Sequence, residues 1–156
     1  MNRCAHALLL ATLSVALSTV FSVVANAAHR NPPPAECPQP RFTGKAPAEF
    51  YGLVNPMKTS RSNRRAGKEV YEELTEPSCV VCHGKKGDGS GQLASQFDPR
   101  PRNFACAATV DGIPDGQLYW IILNGSPGTA MPSFDFLSDE EIWQLVLYLR
   151  SLTNHD

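Results

Sequence analysis

Cys79 and Cys82 stand three positions apart, and His83 follows at once in Cys79-Val80-Val81-Cys82-His83-Gly84. This C-x-x-C-H order is the pattern of covalent haem attachment. Each thiol can add across a haem vinyl group to form a thioether. The adjacent imidazole is then held where it can bind the iron. The porphyrin fills four of six iron positions, so one further axial position needs a side chain or a small molecule.

Met57, Met131, His29 and His155 are the candidates for that position. Met131 lies in Gly125-Ser126-Pro127-Gly128-Thr129-Ala130-Met131-Pro132, a loop between two predicted helices. It is 48 residues beyond His83 (131 minus 83), far enough along the chain to reach the opposite haem face. Methionine more often fills a core than binds metal, but this one sits in a polar loop with no evident packing role. Met57 and His29 fall in a proline-rich stretch and His155 at the terminus, so Met131 is the expected ligand.

The elements that must position these residues are helical. A first helix is expected over 63–75, with Val70, Tyr71 and Leu74 forming one apolar stripe. Gly67 shares that face. Glycine inside a helix costs about 1 kcal/mol against alanine, so its presence there suggests that another helix crosses very close. Pro77 ends the helix just before the haem motif. Gly84, Gly87, Gly89 and Gly91 make the next stretch a turning loop. A short helix is expected over 116–123, with Asp115 as its N-cap and Gly125 past its end. In the last helix Ser138 and Glu141 form a capping box, and Ile142, Leu145, Val146, Leu149 and Leu152 keep one face apolar. No stretch reads as a long strand, so the fold class is all-α.

The 156 residues carry a formal net charge of -1, which does not suggest nucleic-acid binding. Met1-Asn2-Arg3 is followed by an uncharged run from Ala7 to Ala28 and a small-x-small site at Ala25-Asn26-Ala27. This reads as a signal peptide over residues 1–27, cleaved after Ala27. The rival is an uncleaved anchor facing the periplasm, since the run is just long enough to span a bilayer. Export implies a bacterial periplasm and an oxidising compartment. Residues 28–60 hold seven prolines and read as an extended strap. Residues 61–156 form the haem domain.

With Cys4 in the leader and Cys79 and Cys82 on haem, Cys37 and Cys106 remain as an even pair. A Cys37–Cys106 disulfide is therefore expected to staple the strap to the haem domain, the rival being two free or intermolecular thiols. Lys58, Arg61, Arg64, Arg65 and Lys68 form a basic run that could dock an acidic partner or simply be a solvated helix face.

The helix before Cys79-x-x-Cys82-His83-Gly84, the glycine-rich loop, Gly128-x-x-Met131-Pro132 and the closing helix together resemble a class I c-type cytochrome. The resemblance runs from about Asn63 to Leu152. It implies a small cytochrome c fold of three to four helices around one covalent haem c, with His83 and Met131 on the iron. It implies a crossing of the first and last helices at a glycine and an aromatic, which fits Gly67 and Tyr71. It also implies a proline whose carbonyl accepts a hydrogen bond from the axial histidine, for which Pro101 is the match and Pro99 the alternative. Phe97, Phe104, Leu118, Trp120, Ile121, Phe134 and Phe136 are expected to keep water off the iron. With both axial positions filled, the expected role is an electron carrier between redox partner proteins, not an enzyme with a small-molecule substrate. The rivals are a haem enzyme subunit or gas-binding protein with an open sixth position, and a non-haem protein using Cys79 and Cys82 as a redox pair or half a zinc site.

Overall fold

In the computed structural model, residues 31–40, 43–73 and 76–153 are described. The leader, Leu74, His29 and His155 lie outside the described residues. The chain divides into Met1–Asn31 and Pro32–Asp156, and the described helices lie in the second unit. Among the described residues there are six helices and no strands. They are α1 (Ala48–Tyr51), α2 (Arg61–Glu72), α3 (Cys79–His83), α4 (Ala107–Val110), α5 (Asp115–Asn124) and α6 (Asp139–Ser151). A 3-10 turn spans Ala94–Gln96.

The main packing joins α2 to α6. Val70 and Tyr71 of α2 and Ile142, Leu145, Val146 and Leu149 of α6 are all buried, as their helical spacing requires. Gly67 is the point of closest approach. A Cβ added there would overlap the Gln144 carbonyl, a backbone group that cannot move aside. One turn later the Tyr71 ring meets Tyr148 edge-on, with centroids 5.3 Å apart. A second aromatic series runs from Phe50 of α1 to Tyr119 of α5 and on to Trp143 of α6. It ties the strap to α5 and α6.

The helix ends show where local chemistry was missed. Helix α2 begins at Arg61, two residues before its expected start. Ser60 caps it by accepting from the Asn63 N–H at 3.1 Å. Its first turns are polar, so no apolar period marked them. Helix α5 starts with Pro114, not Asp115, in the cap position. Asp115 lies in the first turn, where its carboxylate faces the Arg150 guanidinium of α6 at 2.8 Å. The expected Ser138–Glu141 capping box is present in full. The three helices of four or five residues, α1, α3 and α4, are too short for any sequence period to reveal.

The strap is stitched to the haem domain along its length. Cys37 and Cys106 are joined in a disulfide, with Cα atoms 5.6 Å apart and a sequence separation of 69. Closing a loop of that length contributes roughly 4 kcal/mol by restricting the unfolded chain. The Gln117 side chain, fully buried, accepts from the Ala46 N–H at 2.8 Å and donates to the Gly44 carbonyl at 3.2 Å. The Asn55 amide donates to the Trp143 carbonyl at 2.9 Å. Along the basic run, Arg65 and Lys68 pair with Glu69 and Glu72 on an exposed face, as a solvated helix would.

Gly67→Ala should cost about 3 kcal/mol or more, because backbone meets backbone at the crossing. Thermal unfolding checks this; an unchanged Tm would mean that the helices can separate freely. Hydrogen bonds from the Ser138 hydroxyl and backbone hold the exposed Glu141 carboxyl below its usual value. Its contribution to stability is thus present above the ordinary carboxylate pKa and is lost as pH falls through the folded value. Glu141→Gln should therefore be less stable than the parent at pH 7, with the gap closing in acid; urea unfolding at several pH values reads it.

Candidate haem site

The haem motif is itself a helical turn. Helix α3 ends at Gly84, whose φ of 80° lies where residues with a Cβ are strained. The buried Tyr71 hydroxyl donates to the Gly84 carbonyl at 2.7 Å. The α2–α6 crossing thereby sets the position of the residue after His83. Burial, reinforced by nearby negative charge, raises the Tyr71 pKa far above the usual phenol value, so the hydroxyl remains a donor.

Cys79, Cys82, His83 and Met131 line one cavity of about 1170 Å³ of non-atom space, its open mouth included. Its walls are mainly apolar. Phe97, Phe104, Leu118, Ile121 and Phe134 contribute as expected, whereas Trp120 and Phe136 are not in the lining, and Phe136 is 60% exposed. Trp120 lies on another side of α5, and Phe136 packs outward against Phe134.

His83 is 9% exposed. Its Nδ1 lies 3.0 Å from the Arg102 carbonyl, which as an acceptor requires the proton on Nδ1. Nε2 is then the unprotonated nitrogen, the one able to take a metal. Burial lowers the His83 pKa to about 4, and the Arg102 charge adds to this, while the hydrogen bond to the carbonyl works against it. The ring is therefore neutral at pH 7, the form that ligates a metal. The Phe104 ring packs on it with centroids 4.8 Å apart.

Pro101 is not the acceptor that the resemblance implied. Its carbonyl takes a hydrogen bond from the Gln39 amide at 3.2 Å, and the next carbonyl in the chain, that of Arg102, meets His83. Successive carbonyls of this irregular segment point to different sides, so a shift of one residue changes the partner. Pro99 and Pro101 line the cavity without making this bond.

Burial pushes the Cys82 thiol up. The residues present fit a covalent haem: two cysteines, a neutral histidine with Nε2 left for iron, a thioether and apolar walls share one cavity. The wall that sequence reasoning missed is the strap. Gln39, Pro40 and Thr43 line the same cavity, as do Ile113 and Gln117. No motif marks these residues, because they meet the site only through tertiary contacts.

Tyr71→Phe removes the hydroxyl and leaves the ring. It should cost about 1–2 kcal/mol, since the buried Gly84 carbonyl loses its partner. Equilibrium unfolding measures the loss; a neutral substitution would show that water replaces the hydroxyl.

Residues 65–153 match the family model for cytochrome c. Among solved structures, the chain is similar to one from the reducing HAO-like protein complex of Kuenenia stuttgartiensis. The two are 32% identical with a TM-score of 0.56, over 81% of this chain and 53% of that chain. This chain thus spans about half the length of that one. Matched over more than half of its own residues, it belongs to the cytochrome c family, and Cys79-x-x-Cys82-His83 is its haem c attachment motif.

Proposed function

We propose that this chain is an exported mono-haem carrier of single electrons, with His83 and Met131 as the axial ligands. The observation that carries the reading is that Met131 and His83 line the same cavity as the two attachment cysteines. Bound there, haem c supplies a one-electron Fe(III)/Fe(II) couple. Cys79 and Cys82 hold it covalently. His83 offers Nε2 while the Arg102 carbonyl holds Nδ1–H. Met131 offers a soft sulfur, which favours Fe(II) over Fe(III) relative to a second imidazole. Haem held by both residues would have no position left for a substrate, so it would supply one-electron transfer between partner proteins without a bond being made. The apolar walls exclude water, and rigid ligands need little rearrangement when the charge changes.

The leader, with its uncharged run from Ala7 and its Ala25-Asn26-Ala27 site, supports a periplasmic location, as does a disulfide between Cys37 and Cys106. Likeness to a chain from a multiprotein complex favours work as an electron-transfer subunit, docked on an oxidoreductase, over free diffusion.

The test is the absorption spectrum of the holoprotein. The weak band at the red end of the visible spectrum, which reports an iron–methionine bond in this family, should be present in the oxidised form. Met131→Ala should abolish it and lower the reduction potential by more than about 59 mV, a tenfold change in the Fe(III)/Fe(II) ratio. The reduced variant should also bind carbon monoxide quickly. Fast carbon monoxide binding by the unaltered protein, or an unchanged potential in the variant, would instead support an open sixth position.

A further inference from the structure

We propose that Gln39, a strap residue outside the family match, is a positioning residue for His83: its side-chain amide clamps the segment whose carbonyl orients the imidazole. This rests on the reading of His83 as an iron ligand. The segment from Pro99 to Asn103 has no regular secondary structure. Two of its five residues are prolines, which have no N–H to give. Yet the Arg102 carbonyl within it is the acceptor for His83 Nδ1–H. Something must hold this carbonyl in place.

Gln39 does so from both sides. Its Nε2 donates to the Pro101 carbonyl at 3.2 Å, and its Oε1 accepts from the Asn103 N–H at 2.6 Å. A primary amide has a donor and an acceptor in one plane, so it acts on the residues either side of Arg102 as a neighbouring strand would. Gln39 is itself fixed. Its N–H donates to Thr109 Oγ1 at 2.9 Å, and Cys37, two residues earlier, is bonded to Cys106. On the far side of the segment, the Phe104 N–H donates to the Gly87 carbonyl at 2.6 Å. The sequence of contacts therefore runs from strap to amide, to the Arg102 carbonyl, to the imidazole.

The consequence is electronic as well as structural. A well-aligned Nδ1–H to carbonyl bond makes the histidine a more basic ligand, which stabilises Fe(III). When the clamp is loosened the bond weakens, and the couple shifts toward Fe(II). The strap thus sets part of the reduction potential from outside the family core.

Gln39→Leu keeps side-chain bulk at the cavity wall but removes both hydrogen bonds. In the holoprotein, the Fe(II)/Fe(III) ratio at a fixed potential should rise on the order of threefold, ~28 mV at 59 mV per decade. Exchange of the His83 Nδ1–H, followed by NMR in the reduced state, should quicken roughly tenfold, the signature of a weakened hydrogen bond. Thr109→Val, which frees only the Gln39 backbone, should shift both in the same direction by less. Asn55→Ala is the control: it removes a strap anchor remote from Arg102, so it should lower stability and leave potential and exchange unchanged. Unchanged potential and exchange in Gln39→Leu, or equal shifts in Asn55→Ala, would overturn the clamp and leave the strap a stabiliser only. The red-end band of the unaltered protein tests the ligand reading by itself. If it is absent, that reading falls and the electronic role of Gln39 falls with it; if it is present, the variants judge the clamp alone.

Discussion

Gly67 lies so close to the Gln144 backbone that no side chain fits between them, and the position of the haem motif follows from this contact. The crossing fixes where α2 runs. One turn on, Tyr71 is buried, and its hydroxyl holds the Gly84 carbonyl. The end of α3 is thereby placed relative to α6, and His83 with it. From His83 the order continues outward through Nδ1 to the Arg102 carbonyl, then to Gln39 and the strap. Local segments that would be marginal alone are held by a series of specific contacts that begins at one glycine.

The cavity is the cost side of the same design. A chain of this size that keeps an open, mainly apolar cavity beside Cys79, Cys82 and His83 loses packing that a solid core would have. Haem bound there would restore those contacts. Around the space, the structure compensates with rigid connections. The capping box fixes one end of α6, and Arg150 ties its other end to Asp115 and to the Val110 and Ile113 carbonyls. The disulfide and Gln117 hold the strap against the cavity mouth. A site that must change charge without changing shape benefits from such a frame, since motion of the ligands would slow electron transfer.

Much of the site was legible in the order of residues because the chemistry is local. Cys79, Cys82 and His83 are adjacent, and attachment to one haem requires that spacing. Met131 stood out as a sulfur in a polar loop; it lines the cavity and also packs against the hydrophobic core, a contact the loop sequence did not announce. The capping box and the apolar face of α6 follow from helical periodicity alone. Gly67 and Tyr71 were readable as a crossing because a glycine on an apolar helix face has few other uses. The disulfide followed from counting: two cysteines were left over in a chain read as exported.

Other features depend on distances that no local pattern encodes. Which carbonyl meets His83 was decided by how an irregular proline-containing segment turns, and one residue of register separated Pro101 from Arg102. The Ser60 cap was hidden because the first turns of α2 are polar. The role of the strap was invisible, since proline-rich sequence predicts extended backbone but not what that backbone touches. By itself the sequence determined the haem chemistry, the all-α class and the main helix faces, because attachment spacing and amphipathic periods are properties of neighbouring residues. Only the tertiary structure decided that Gln39, Pro40 and Thr43 line the cavity and that Gln39 grips the segment holding the histidine, because those contacts join positions far apart in the chain, more than sixty residues for the Gln39 side-chain hydrogen bonds.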